Sequence, residues 1–254
     1  SILYKRRSSK LRLMMIILHY LIWLFAGLVF LSSPGTAVAT EAGAYPKTAI
    51  ALHERYADEV IAHDKYGAFA DHAFKEGYPA IAHLFRTLAY SEAVHAKNFA
   101  RLLREMGQEP LMPAVVFNLT STKELLQLAA AVEAAEIDKE YPAILQRISK
   151  EQNEPAMRFI TYAWKAEQQH RDLIVQIKKA ASWYFGMLVS KIEGSPTRYY
   201  VCQICGSTVM QMPGKQCPIC DHPPEQYQEV PGFADSSAKP VSPRDGIDGI
   251  LEHD

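Results

Sequence analysis

The chain has 254 residues, enough for one sizeable core and a small extra module, and its 22% charged content argues against general disorder. Net charge is −1, but residues 1–39 hold five Lys/Arg and no Asp or Glu, which leaves −6 on residues 40–254 and no electrostatic footprint for nucleic acid. All four cysteines lie between Cys202 and Cys220, which reads as a metal site before a disulfide framework.

In chain order, the basic stretch "YKRRSSKLR" comes first, followed by "LMMIILHYLIWLFAGLVFL", 19 residues without a formal charge. That length is at the lower end of a membrane-spanning helix. "TAVAT" follows, and Ala37 with Ala39 forms an A-x-A cleavage pattern. Residues 1–39 are therefore expected to be a cleaved signal peptide or a retained transmembrane anchor. In either case residues 40–254 are expected on the exported side, periplasmic or tethered to the membrane. Arg6-Arg7 is a poor match to a twin-arginine signal.

Four helices are predicted next. The first covers 47–75, and "EGYP" breaks it, with Pro79 suited to the first turn of the second. The second runs to about Met106 and ends at Gly107. "QEPLMPAVVFNLT" has no clear periodicity and is long for a link between neighbouring helices, so it reads as a crossover. Ser121 with Glu124 forms a capping box that opens the third helix, in which Pro142 predicts a kink. "NEP" at 153–155 precedes the fourth, which ends before Gly194. Two helical hairpins joined by a crossover predict an all-α, ferritin-like four-helix bundle over 47–193. A four-cysteine module follows at 197–231. Residues 232–254 are Pro/Ser/Gly/Asp-rich and expected to be disordered.

The helices share an anomaly. Leu88, Glu92, His95 and Phe99 fall on one stripe of the second helix. Ile160, Ala163, Glu167, His170, Ile174 and Ile177 do so on the fourth. Each stripe should be buried, yet each carries a carboxylate and an imidazole, and buried charge is costly unless compensated. Residues three apart on a helix point the same way, so each Glu-x-x-His offers one oxygen and one nitrogen ligand to a common point. Glu59 lies in line with Tyr56, Ala62 and Tyr66 on the first helix. Glu133 and Glu136 share a face of the third, near Ala129 and Tyr141.

One Glu-x-x-His alone is usually a solvated face. Two copies at equivalent places, with partner carboxylates between them, form the pattern of a dinuclear carboxylate site. Mixed oxygen and nitrogen ligands suit iron or manganese. Glu140 is a solvated residue or an extra ligand, and His63 sits beside the ligands or at the surface. His53, His72 and His83 read as surface or satisfied core residues. Tyr66 and Tyr141 are placed to hydrogen-bond to ligands or pass electrons, with core packing as the alternative.

Cys202-x-x-Cys205 precedes Cys217-x-x-Cys220 by eleven residues. Two such knuckles make a four-thiolate cage for iron or zinc. A redox partner in the bundle favours iron, and Tyr200 and Tyr227 are placed to shield it.

Over residues 47–230 the chain resembles rubrerythrin. The likeness lies in helix order, Glu-x-x-His placement, "KEGYPAIAHLF", "EYPAI" and the C-terminal "CQIC…CPIC". The resemblance implies di-iron ligands at Glu59, Glu92, His95, Glu133, Glu136, Glu167 and His170. It implies near-site tyrosines at Tyr66 and Tyr141, and a rubredoxin-like, β-rich module with one iron at Cys202, Cys205, Cys217 and Cys220. Glu136 would be the carboxylate that changes its ligation on oxidation. The implied activity is reduction of hydrogen peroxide to water, in a homodimer where one subunit's four-cysteine centre serves the other's di-iron site. An exported chain needs a membrane or periplasmic electron donor. Competing classes are an O2-reducing or electron-transfer partner of a membrane complex, a ferroxidase, and a structural membrane subunit.

Overall fold

The computed structural model describes Gly43, residues 45–182 and residues 197–232. The expected leader, the joint at 183–196 and the tail beyond 232 lie outside these residues. No helix among the described residues is long and apolar enough to cross a membrane.

Helix α1 spans Pro46–Lys75 and α2 spans Pro79–Glu105. Both begin with proline, whose missing N–H costs nothing in the first turn. The Glu151 carboxylate accepts from the Lys47 and Thr48 amides at 2.9 and 2.7 Å and so closes the start of α1 from across the bundle. Helix α2 stops at Gly107, where φ is +72°, a conformation that glycine adopts without a Cβ clash. Residues 108–121 contain no helix or strand.

The capping box at Ser121 and Glu124 is formed, and α3 spans Thr122–Ala135. The predicted kink takes a specific form. A π-helical turn occupies Glu136–Glu140, and α4 continues over Tyr141–Ile148. Pro142 cannot donate to Asp138 and its ring would strike that carbonyl, so the helix widens just before it. The Trp164 indole donates to Ile137 O at 2.9 Å, giving one carbonyl of the turn a partner. A 3-10 turn and left-handed Gln152 lead to α5, Glu154–Ser182, where Asn153 Oδ1 accepts from the Ala156 amide.

The core divides into two apolar clusters. One gathers Phe69, Phe85, Leu88, Leu125 and Ile174. The other gathers Leu52, Phe99, Leu103, Tyr141 and Ile160. Every long helix contributes to both, and in each the Glu and His positions fall where one cluster gives way to the other. The order of clusters along the chain also gives direction. Helices α2 and α3 run the same way and α1 and α5 run oppositely, so the 108–121 connection must return along the length of the bundle. Met112 near Tyr56 and Phe117 on the Phe69 ring trace that return.

The C-terminal module is a three-stranded antiparallel sheet, order β2-β1-β3, with β1 at Tyr200–Cys202, β2 at Thr208–Val209 and β3 at Tyr227–Glu229. It packs on α2 and α5. Ser91 Oγ donates to Gly206 O at 2.7 Å and Asn98 to Ile204 O at 2.9 Å. Gln169 Oε1 accepts from the Thr208 amide at 2.8 Å, and Arg86 donates to Pro231 O at 3.0 Å.

Candidate metal centres

Glu59, Glu92, His95 and Glu167 form one group of ligand atoms within 4.8 Å of one another, and Glu92, Glu133, Glu167 and His170 form a second. All six residues are buried. Glu92 and Glu167 belong to both groups, so they stand where two neighbouring ions would be bridged. The imidazole nitrogens that face the carboxylates are Nδ1. His95 Nδ1 lies 3.0, 3.2 and 3.4 Å from oxygens of Glu92, Glu167 and Glu59. His170 Nδ1 lies 2.8 and 3.3 Å from Glu167 and Glu92.

Two phenols close the carboxylates from behind. Tyr66 donates to Glu133 Oε1 at 2.5 Å and Tyr141 to Glu59 Oε1 at 2.7 Å. Burial, with the nearby carboxylates, pushes both phenols well above their ordinary pKa, so both remain donors.

Glu136 belongs to neither group. It lies at the start of the π turn, and its carboxylate is 3.9 Å from Arg55 Nη1. Glu140 is a surface partner of the same arginine, at 3.0 Å. His63 is buried with Nδ1 2.8 Å from Ala89 O. His53 meets Gln108, His72 meets Glu76 and His83 meets Val230 O.

The donor set fits divalent cations. Four buried carboxylates surround two imidazoles, and Glu133 Oε2 has no hydrogen-bond partner. Without metal the electrostatics are strained. Burial pushes Glu59 up to about 7, and pushes Glu133 and Glu136 well above the usual carboxylate range with help from Glu167. Burial opposes charge on His170, yet Glu92 and Glu167 lift it to about 9. Burial also works against the Glu167 charge, but His170 and His95 outweigh it and hold Glu167 well below its ordinary value.

A pH dependence follows. Folded values of Glu59 and His170 are raised above their ordinary values of 4.5 and 6.5. Their stabilisation is complete below those values and is lost as pH rises through about 7 and about 9. The metal-free chain should therefore melt at lower temperature at about pH 9 than at about pH 5 in chelator. Metal binding must displace the His170 proton, so affinity should rise with pH up to that region. Thermal melts and metal titrations at the two pH values check this, and a higher melting temperature on the alkaline side would refute it.

In the module, Cys202 and Cys220 sulfurs are 3.8 Å apart and those of Cys205 and Cys217 are 3.5 Å apart. A tetrahedral site with metal–sulfur bonds of roughly 2.3 Å has edges of about 3.8 Å. The Ser207 and Ile219 amides donate to Cys205 and Cys217, and Tyr227 donates to Cys217 Sγ at 3.2 Å.

The seam between the centres is direct. A Cβ on Gly206 would lie 2.2 Å from His95 Nε2, and φ there is +77°. The other imidazole, His170 Nε2, is 3.3 Å from Thr208 Oγ1, whose hydroxyl donates on to Gly206 O at 3.0 Å. That chain leaves the His170 proton on Nε2 and the Nδ1 lone pair for a metal.

Comparison with known proteins agrees with this arrangement. The Rubrerythrin family model matches residues 51–178. This chain belongs to the rubrerythrin family. It is 31% identical to rubrerythrin-2 of Clostridium acetobutylicum over 71% of this chain and 95% of that protein. It is 29% identical to nigerythrin of Nitratidesulfovibrio vulgaris over 69% of this chain and 83% of that one. The solved structure of nigerythrin in its fully reduced, all-ferrous state superposes with a TM-score of 0.61 at 30% identity, covering 72% of this chain and 86% of that one. A bacterioferritin from Desulfovibrio desulfuricans, at 22% identity and TM-score 0.56, shares the fold. As in its rubrerythrin relatives, the bundle residues fit a di-iron centre and the four cysteines fit a single iron.

Sequence reasoning did not single out Ser91, Asn98, Gln169, Gly206 and Thr208, which join the centres, or Arg55. Gly206 follows the first knuckle directly, in "CQICG", and Gln169 lies inside "EQQH"; both signals were present.

Proposed function

We propose that the protein is a non-haem di-iron peroxidase that reduces hydrogen peroxide to water, with electrons delivered through the iron of the four-cysteine module. The observation that carries this reading is the seam. Both imidazoles of the bundle site turn their outer nitrogens toward Gly206 and Thr208, directly after the Cys205 ligand. A storage or ferroxidase bundle has no need of such a module.

When bound, the ferrous pair supplies two electrons and two Lewis-acid centres to the O–O bond, so that peroxide, two electrons and two protons give two waters. Glu59, Glu92, His95, Glu133, Glu167 and His170 hold the pair, with Glu136 as a further ligand. Tyr66 and Tyr141 orient Glu133 and Glu59. The two apolar clusters keep bulk water from the carboxylates and keep their pKa values displaced. Cys202, Cys205, Cys217 and Cys220 hold the iron that refills the pair.

The oxidoreductase works as a homodimer, and the seam on α2 and α5 can receive the module of either subunit. The basic and apolar segment at 4–31 supports an exported or membrane-tethered protein with a membrane or periplasmic donor.

The test is rapid mixing of the iron-loaded, anaerobically reduced protein with hydrogen peroxide or with O2. Fast stoichiometric oxidation by peroxide and slow oxidation by O2 is the expected result. Faster reaction with O2 would overturn the peroxidase reading in favour of oxygen reduction.

A further inference from the structure

Arg55 has no task in that account. It lies on α1, one helical turn before Glu59, and is 3% exposed. Its Nη2 pairs with Asp58 and Glu140, and its guanidinium carbon sits 5.2 Å from the centre of the Tyr141 ring. Its Nε and Nη1 have no hydrogen-bond partner. A buried guanidinium with two unused donors is costly and calls for a compensating interaction. Asp58 and Glu140 are weak candidates, because their side chains are 44% and 46% exposed and water screens both pairs. Glu136, 18% exposed and 3.9 Å from Nη1, is the shielded anion.

Glu136 is also the one predicted carboxylate ligand absent from both ligand groups. It opens the π turn, a helical geometry that re-aims side chains. Its neighbours on the other side are Glu59 and Glu167, which act on it electrostatically. Once cations occupy the cluster, one carboxylate has a cationic partner on each side. The guanidinium charge is fixed, whereas that of a redox metal pair is not, and Coulomb attraction scales with charge.

We propose that Arg55 is a positioning residue that holds the Glu136 carboxylate outside the metal pair, releasing it to the metals only when their charge rises. The proposal rests on the di-iron reading and deepens it, because the ligand set then follows the oxidation state of the pair. At low metal charge Glu136 stays with Arg55 and the six grouped residues hold the ions. At high metal charge Glu136 moves inward and satisfies the added charge.

The test uses cobalt(II) and no peroxide, so its outcome is separate from that of the peroxidase reading. Metal-free full-length protein is titrated with cobalt(II) and followed by its visible absorption. Arg55→Gln should raise affinity about tenfold and weaken the bands as coordination number increases, while in a Glu136→Gln background the same change should alter affinity less than about twofold. Arg55→Lys, which keeps the charge, should stay within about threefold of the parent. An equal gain in both backgrounds would mean that Arg55 acts only through its field and would overturn the proposal. No gain in the parent background would overturn it too.

Should Arg55→Gln fail to fold, Glu140→Gln replaces it at the exposed edge. Removing that competitor should tighten Arg55 on Glu136 and lower cobalt affinity about two- to threefold, with no effect in the Glu136→Gln background. Equal effects in the two backgrounds, or none in either, would overturn the proposal by this route.

Discussion

Replacing Glu167 with alanine is expected to strip the bundle of both metal ions, whereas replacing Glu59 should remove one. Glu167 contributes to both ligand groups and Glu59 to a single group. Its oxygens also approach the Nδ1 atoms of both histidines, at 3.2 and 2.8 Å. Alanine there removes a bridge and leaves two imidazoles without their nearest anion. Iron per chain, measured after reconstitution and desalting, should fall from about three to about one in Glu167→Ala, with the spectrum of the cysteine-bound iron intact. Peroxide reduction should fall by about 10³-fold or more, because a two-metal clamp is lost rather than loosened. The metal-free variant should also lose about 3–5 kcal/mol, the usual cost of removing one partner from a buried ion pair. Retention of two bundle irons would show that Glu167 is not shared.

Gly206→Ala is expected to uncouple the centres while leaving each one loaded. The added methyl would fall 2.2 Å from His95 Nε2 and 2.8 Å from Ser91 Oγ, and neither atom is at the end of a flexible chain. The left-handed φ adds about 1 kcal/mol of strain. The module must therefore lift from α2 and α5, breaking the contacts of Ser91, Gln169 and Thr208. Turnover with an external donor should fall about 10²-fold, the scale of a misplacement near 1 Å. Single-turnover oxidation of a chemically reduced bundle by peroxide should stay within about twofold of the parent, since no bundle ligand changes. Equal losses in both assays would place the damage in the bundle instead.

Much of this architecture was legible in the sequence because its signals are local. Pro79, Gly107 and the Ser121/Glu124 box act within one turn of chain, and they mark helix ends within a residue or two of where they occur. The Glu-x-x-His pairs were legible for a related reason. A carboxylate on an apolar stripe contradicts the pattern around it, and that contradiction recurs at matched places in both hairpins. The sequence could not show which way Glu136 turns. Helical periodicity puts it beside Glu133, but the π turn opened ahead of Pro142 and the buried charge of Arg55 act through three dimensions. Arg55 itself reads as an ordinary surface cation beside "HERYADE". The seam was hidden likewise, since Gln169 and Thr208 are ordinary polar residues until two distant elements meet.

The π turn also limits how this gene can vary. The helical stretch from Thr122 to Ile148 carries Glu133 before the turn and Tyr141 after it, and each side chain must meet a partner on another helix. Losing one residue at 136–140 would restore a regular helix and rotate everything beyond it by about 100°. Tyr141 would swing away from Glu59, and Ile144 and Ile148 would leave the core they help to close. Insertions and deletions should thus accumulate in the 108–120 connection, which carries no ligand, and be purged from the turn. In a lineage of such chains the third helix would keep its length to the residue while the strap beside it drifts.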